Sequence, residues 1–79
     1  MPTVFRIGSF RFFFFSDEGS EPIHIHVQRD NSLAKFWIKP EISLASSIRF
    51  SAVELRKIHK YIEENKNLIE EKWNEHFGI

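Results

Sequence analysis

The chain has 79 residues and a formal net charge of zero, so it allows one small core and gives no sign of a globally basic nucleic-acid binder. It has no cysteine, which excludes disulfides and thiolate zinc sites and leaves stability to its apolar side chains or to association. Nine phenylalanines and two tryptophans can supply that core, and the longest aromatic run, Phe12 to Phe15, is far too short to span a bilayer.

Thr3 to Ile7 and Phe10 to Ser16 read as a β-hairpin. Gly8-Ser9 supplies a two-residue turn with glycine where positive φ is needed. That loop sets Ile7 against Phe10, Phe5 against Phe12 and Thr3 against Phe14 on a mostly apolar face. The other face carries Arg6 across from Arg11, followed by Phe13 and Phe15. Asp17 to Pro22 is a polar loop with turn chemistry.

A third strand runs from Ile23 to about Arg29, and a fourth from about Leu33 to Ile38, stopped at Lys39-Pro40. An even loop at Asp30-Asn31 puts Ile25 and Val27 beside Ala34, Phe36 and Ile38. It leaves His24 and His26 beside Lys35, Trp37 and Lys39. Glu41 to Ala45 is a candidate short fifth strand, and Ser46 to Arg49 reads as a loop.

The clearest boundary is Ser51-Ala52-Val53-Glu54, a capping box, with Phe50 and Leu55 at the positions of a hydrophobic staple. Beyond it, Leu55, Ile58, Ile62, Ile69, Trp73 and Phe77 form one helical stripe, interrupted by Asn65 and Lys66. A helix continuous to Phe77 would be ~39 Å long, more than so small a fold can cover. The helix therefore either overhangs or kinks near Asn65. Asn67, with Glu70 after it, is a candidate cap for a second helix, and Gly78 a candidate C-terminal stop.

The predicted fold is α+β. It is an antiparallel meander of four to five strands with a long or kinked C-terminal helix on one face. The whole chain, 1–79, forms one domain, with the sheet in 1–49 and the helix in 50–79.

Two unlike sheet faces follow. The helix covers Phe5, Ile7, Phe10, Phe12, Phe14, Ile25, Val27, Phe36 and Ile38. The outer face presents Arg6, Arg11, His24, His26, Lys35, Trp37 and Lys39, with Phe13 and Phe15 nearby. Cations there attract phosphates and aromatic rings stack on bases, so RNA is one partner such a face suits, with Arg6, Arg11, Lys35 and Trp37 as contacts. The plain alternative is a solvated face. A third is a sticky patch of Phe13, Phe15 and Trp37 for a partner protein or for self-association.

His24 and His26 alternate along one strand, ~7 Å apart. Imidazole titrates near working pH, so the pair could be the general acid and base of a metal-independent endoribonuclease, with Arg11 and Lys35 as phosphate contacts. The same pair could bind a metal, but Glu21, Asp17, His59 and His76 have no diagnostic spacing for completing the site, and no cofactor is expected. On the helix, His59 and His76 read as histidines at the edge of the core.

Taken together, these motifs carry a resemblance. The opening Met1 to Gly8, the run Arg11 to Ser16, Glu21-Pro22-x-His24-x-His26-Val27 and Ala34-Lys35-Phe36-Trp37 belong to it. So do Phe50-Ser51, Glu54-Leu55, Glu64-Asn65, Trp73-Asn74-Glu75 and Phe77-Gly78. The set resembles the bacterial domain of unknown function 4160 family over almost the whole chain. The resemblance implies a small, stand-alone cytoplasmic protein without membrane contact, and a component of a toxin–antitoxin-like module that binds a partner protein, RNA or both. It brings no catalytic residue with it.

Overall fold

The computed structural model describes residues 3–15 and 19–78. Five strands form one sheet in chain order: β1 (Thr3–Ile7), β2 (Phe10–Phe13), β3 (His24–Arg29), β4 (Ser32–Trp37) and β5 (Ser43–Ile48). Every neighbouring pair is antiparallel. Two helices follow, α1 (Ala52–Glu64) and α2 (Lys66–Phe77). The predicted α+β meander is the fold, with all five strands present.

Local chemistry accounts for the turns. Gly8 takes φ 57°, the left-handed conformation that glycine adopts without a Cβ penalty, and pairs Ile7 with Phe10 and Arg6 with Arg11 as expected. Asp30 takes φ 53° in the next turn, where Arg29 meets Ser32 across the two-residue loop. Beyond the open end of that hairpin, the Ile23 carbonyl accepts from the Ile38 amide at 2.8 Å.

Three expectations need correction. Thr3 lies across from Phe13, not Phe14, because a bulge at Val4 shifts the register of β1. β5 starts at Ser43 and continues to Ile48, so Ser46 to Ile48 are strand and not loop. Its pairing hid from a simple alternation count because Ala45 bulges: Phe36 pairs with Leu44, but Lys35 pairs with Ser46. Finally, Asn67 does not cap the second helix but lies within α2, which starts after the break at Asn65, the position expected for a kink.

That break follows from the polar interruption in the stripe. Asn65 has φ −116° and ψ 17°, and its side-chain amide donates to the Tyr61 carbonyl at 2.9 Å. The side chain thus competes for a backbone acceptor in the last turn of α1. A straight helix of ~39 Å would exceed the longest dimension of the molecule, 34 Å. Breaking it lets Ile58 and Ile62 of α1 and Ile69 and Trp73 of α2 all reach the core. Gly78, with φ 72°, ends α2 as expected.

The capping box at Ser51 and Glu54 is present in both directions. Glu54 also pairs with Arg29, which tethers the start of α1 to the end of β3. In the first half of α2, Glu70 lies 3.3 Å from Lys39 Nζ.

Phe10, Phe12, Phe14, Ile25, Val27, Ala34, Phe36 and Ile38 form the sheet's contribution to the core, while Phe5 and Ile7 are only partly covered at the β1 edge. Phe14 meets Trp73 edge to face at 5.2 Å. Among the described residues, no helix is long and apolar enough to cross a membrane.

Candidate functional site

Strand registers build the outer face in three rows. Arg6, Arg11, Gln28, Leu33 and Ile48 form the first. Thr3, Phe13, His26, Lys35 and Ser46 form the second. His24, Trp37 and Ser43 form the third. The expected residues are therefore brought together on one face rich in His, Arg and Lys. Lys39 follows Trp37 beyond the strand and is engaged with α2 through Glu70.

The rows are not uniformly open to solvent. His24 is fully buried, His26 is 6% exposed and Phe13 2%. Phe15, just past the end of β2, folds back so that its ring meets His26 edge to face at 4.4 Å and Phe13 at 5.3 Å. Phe13 stacks on His26 at 5.5 Å. The two histidine rings stand perpendicular at 5.1 Å, and Trp37 meets His24 at 5.6 Å. The histidine pair is thus embedded in an aromatic cluster, and its solvated presentation is corrected. Phe13, Phe15 and Trp37 pack against the imidazoles, so less of each ring is left as a sticky patch.

Cations rim the cluster. Arg11 sits over the Phe13 ring at 4.4 Å and donates through Nε to Thr3 Oγ1 at 2.8 Å. Lys35 Nζ sits over the Trp37 ring at 4.3 Å. Each cation gains from the negative face of an aromatic ring while keeping its charge at the surface. Arg6 is exposed and stands directly opposite Arg11. Two like charges directly opposite each other cost some stability.

Glu21 is the residue whose part here the sequence did not convey. Its Oε1 lies 2.9 Å from Lys35 Nζ and 3.6 Å from His24 Nδ1. The same Nδ1 lies 3.0 Å from the Pro22 carbonyl. A carbonyl only accepts, so Nδ1 carries the proton and, in the neutral ring, Nε2 holds the lone pair. Glu21 is 14 positions from Lys35 in the chain, a separation at which no local spacing rule operates.

Among the described residues, no group of three or more His, Cys, Asp or Glu could hold a metal ion. Asp17, one of the candidate ligands, lies outside the described residues. His59 Nδ1 is 3.4 Å from Glu63, and His76 packs against Phe77 and Phe14, so both sit apart from the strand histidines in aromatic and helix-surface contacts.

Neither the curated proteins nor the solved structures gave a match to this chain. The family model described as Domain of unknown function (DUF4160) matches residues 9–74, which take in β2 to β5, α1 and most of α2, and the chain belongs to that family.

Proposed function

We propose that this protein is a non-catalytic interaction module, one half of a toxin–antitoxin-like pair, and that its outer sheet face engages a partner protein. The observation that carries this reading is the layering of that face. His24 and His26 are buried in contact with Phe13, Phe15 and Trp37, while Arg6, Arg11 and Lys35 form the charged rim. General acid–base work on a phosphodiester needs both imidazoles within hydrogen-bond reach of the reacting oxygens. Here His24 is fully buried and His26 nearly so, which favours binding over cleavage. The buried pair then holds the binding face in shape.

RNA is the second reading, favoured by cations and an aromatic ring on one face, Arg6 and Lys35 with Trp37, which suit phosphates and a stacked base. One experiment separates the two. The tagged chain is co-expressed with the products of the adjacent genes, purified with and without nuclease, and analysed for protein and RNA. A stoichiometric small protein that survives nuclease and is lost in Arg6→Glu or Lys35→Glu supports the proposal. RNA without protein moves the assignment to the second reading, and recovery of the chain alone rejects both. RNA cleavage lost in His24→Ala and His26→Ala, with both variants folded, would restore the endoribonuclease reading.

A further inference from the structure

β5 is an edge strand that has a bulge at Ala45 but neither of the chemical devices that blunt an edge, charge or proline. Ser43–Ile48 contains no charge and no proline, and all six residues are exposed. Free strand edges are commonly protected by lysine, proline or inward-pointing charge, since their unpaired amides and carbonyls are templates for another strand. The opposite edge, β1, also has a bulge, at Val4, but carries the charge of Arg6 as well. In β5 the bulge at Ala45 turns Leu44 onto the helix side of the sheet, beside Phe36.

On that side Phe36, Leu44, Leu55, Arg56 and His59 line an apolar groove of about 200 Å³. Leu44 is 46% exposed and Val53, in the first turn of α1, 61%. On the outer side of the same edge, Ile48 is 56% exposed and stands across from Leu33. Bare backbone, a side-chain groove and flanking apolar residues are the three components of strand addition. Main-chain hydrogen bonds give the affinity and the groove selects alternate side chains.

Charge identifies the kind of strand. Arg56 lies on the groove and Arg49 closes β5, and among the described residues neither has an acidic partner. His59 is already near Glu63. A second copy paired edge to edge would set Ser43–Ile48 against itself, and that segment holds no carboxylate.

We propose that the β5 edge captures an extended segment of another polypeptide as a sixth strand, with an aliphatic side chain in the Phe36–Leu44–Leu55 groove and a carboxylate against Arg56. This surface is separate from the cationic rim of the outer face, and the proposal holds whether or not that face binds a partner.

The test uses the full chain and a random heptapeptide library displayed on phage. Enriched peptides are synthesised, and their affinities are measured for the wild type, Leu44→Lys and Arg56→Glu. Both substitutions are at surface positions, and circular dichroism checks that each variant is folded. Enriched sequences should alternate aliphatic residues with at least one acid, and affinity should fall tenfold or more in each variant. In Arg56→Glu, replacing the peptide's acid by lysine should recover binding. Lack of enrichment, or equal affinity for all three proteins, overturns the proposal. So does a wild-type dimer in sedimentation that Leu44→Lys makes monomeric, which would assign the edge to a second copy.

Discussion

His24 and Trp73 meet edge to face at 5.0 Å, which joins the first residue of β3 to the last helix. Period-2 alternation puts His24 on the outer face of the sheet, away from Ile25, yet it touches the helix that closes the core. The contact arises at the end of the strand, where α2 brings Trp73 against both Phe14 and His24. Through this pair, the packing of the core and the shape of the outer face are one problem.

Trp73→Ala should therefore be among the most damaging single changes. It removes a large buried ring from between two elements, at a cost of about 3–5 kcal/mol. A chain of this length has only about 4–12 kcal/mol of stability in total. Urea denaturation should show a large fall in midpoint, and the aromatic NMR shifts of His24 and Trp37 should move in whatever fraction stays folded. A variant that kept the wild-type midpoint would show that the contact contributes nothing.

Gly19 lies against Phe77. A Cβ built at Gly19 would stand 2.6 Å from Phe77 Cδ1 and 3.3 Å from its Cβ, so the whole ring and not only its tip would have to shift. Gly19→Ala should destabilise by about 1–3 kcal/mol through overpacking. Phe77→Ala should relieve part of that cost, so the double mutant should lose less than the sum of the two single losses. Strictly additive losses would reject the contact.

Glu54 makes stability depend on acid. Its carboxylate accepts from the Ser51 amide and pairs with Arg29, and these contacts, the Ser51 bond first, hold its pKa below the ordinary value of 4.5. In the acidic range the unfolded chain thus binds more protons than the folded one, so stability rises with pH. The Glu54 contribution is present in full above 4.5 and disappears as pH falls through the lowered folded-state value. Thermal melts of Glu54→Gln between pH 6 and 2.5 should show a shallower acid loss than wild type, and parallel curves would remove Glu54 from the account. Ser51→Ala, which deletes the reciprocal cap, should cost about 1 kcal/mol at neutral pH.

Arg49 holds φ 65° at the junction between β5 and the helix cap, a left-handed conformation unusual for a residue with a Cβ. The buried Ser32 hydroxyl donates to its carbonyl at 2.9 Å and helps to pin it. Arg49→Gly should leave the melting temperature unchanged or raise it slightly. Arg49→Val should lower stability by about 1–3 kcal/mol, because a β-branched residue tolerates that region poorly. Equal effects of the two substitutions would show that the backbone there relaxes freely.

Patterns with a short range were legible without coordinates. Gly8-Ser9 announced the first hairpin and its register near the turn, the even Asp30-Asn31 loop set the second, and Ser51 with Glu54 marked the helix start. Each is a local rule in which a few neighbouring residues determine the backbone. The two-faced sheet followed from them, because alternation carries a register along a strand until something interrupts it. Bulges at Val4 and Ala45 are such interruptions: they move Thr3 one place and carry β5 past the end that alternation predicts.

Burial on the outer face was decided by tertiary structure alone. Alternation assigned His24, His26 and Phe13 to that face correctly but could not say what would lie over them. Phe15 folding back past the end of β2, Trp73 arriving from α2 and Glu21 bridging to Lys35 all join residues far apart in the chain or beyond the end of a strand. Sequence periodicity reports which side of a sheet a side chain leaves from. Whether water reaches it depends on side chains delivered from elsewhere, and that information exists only once the chain has closed on itself.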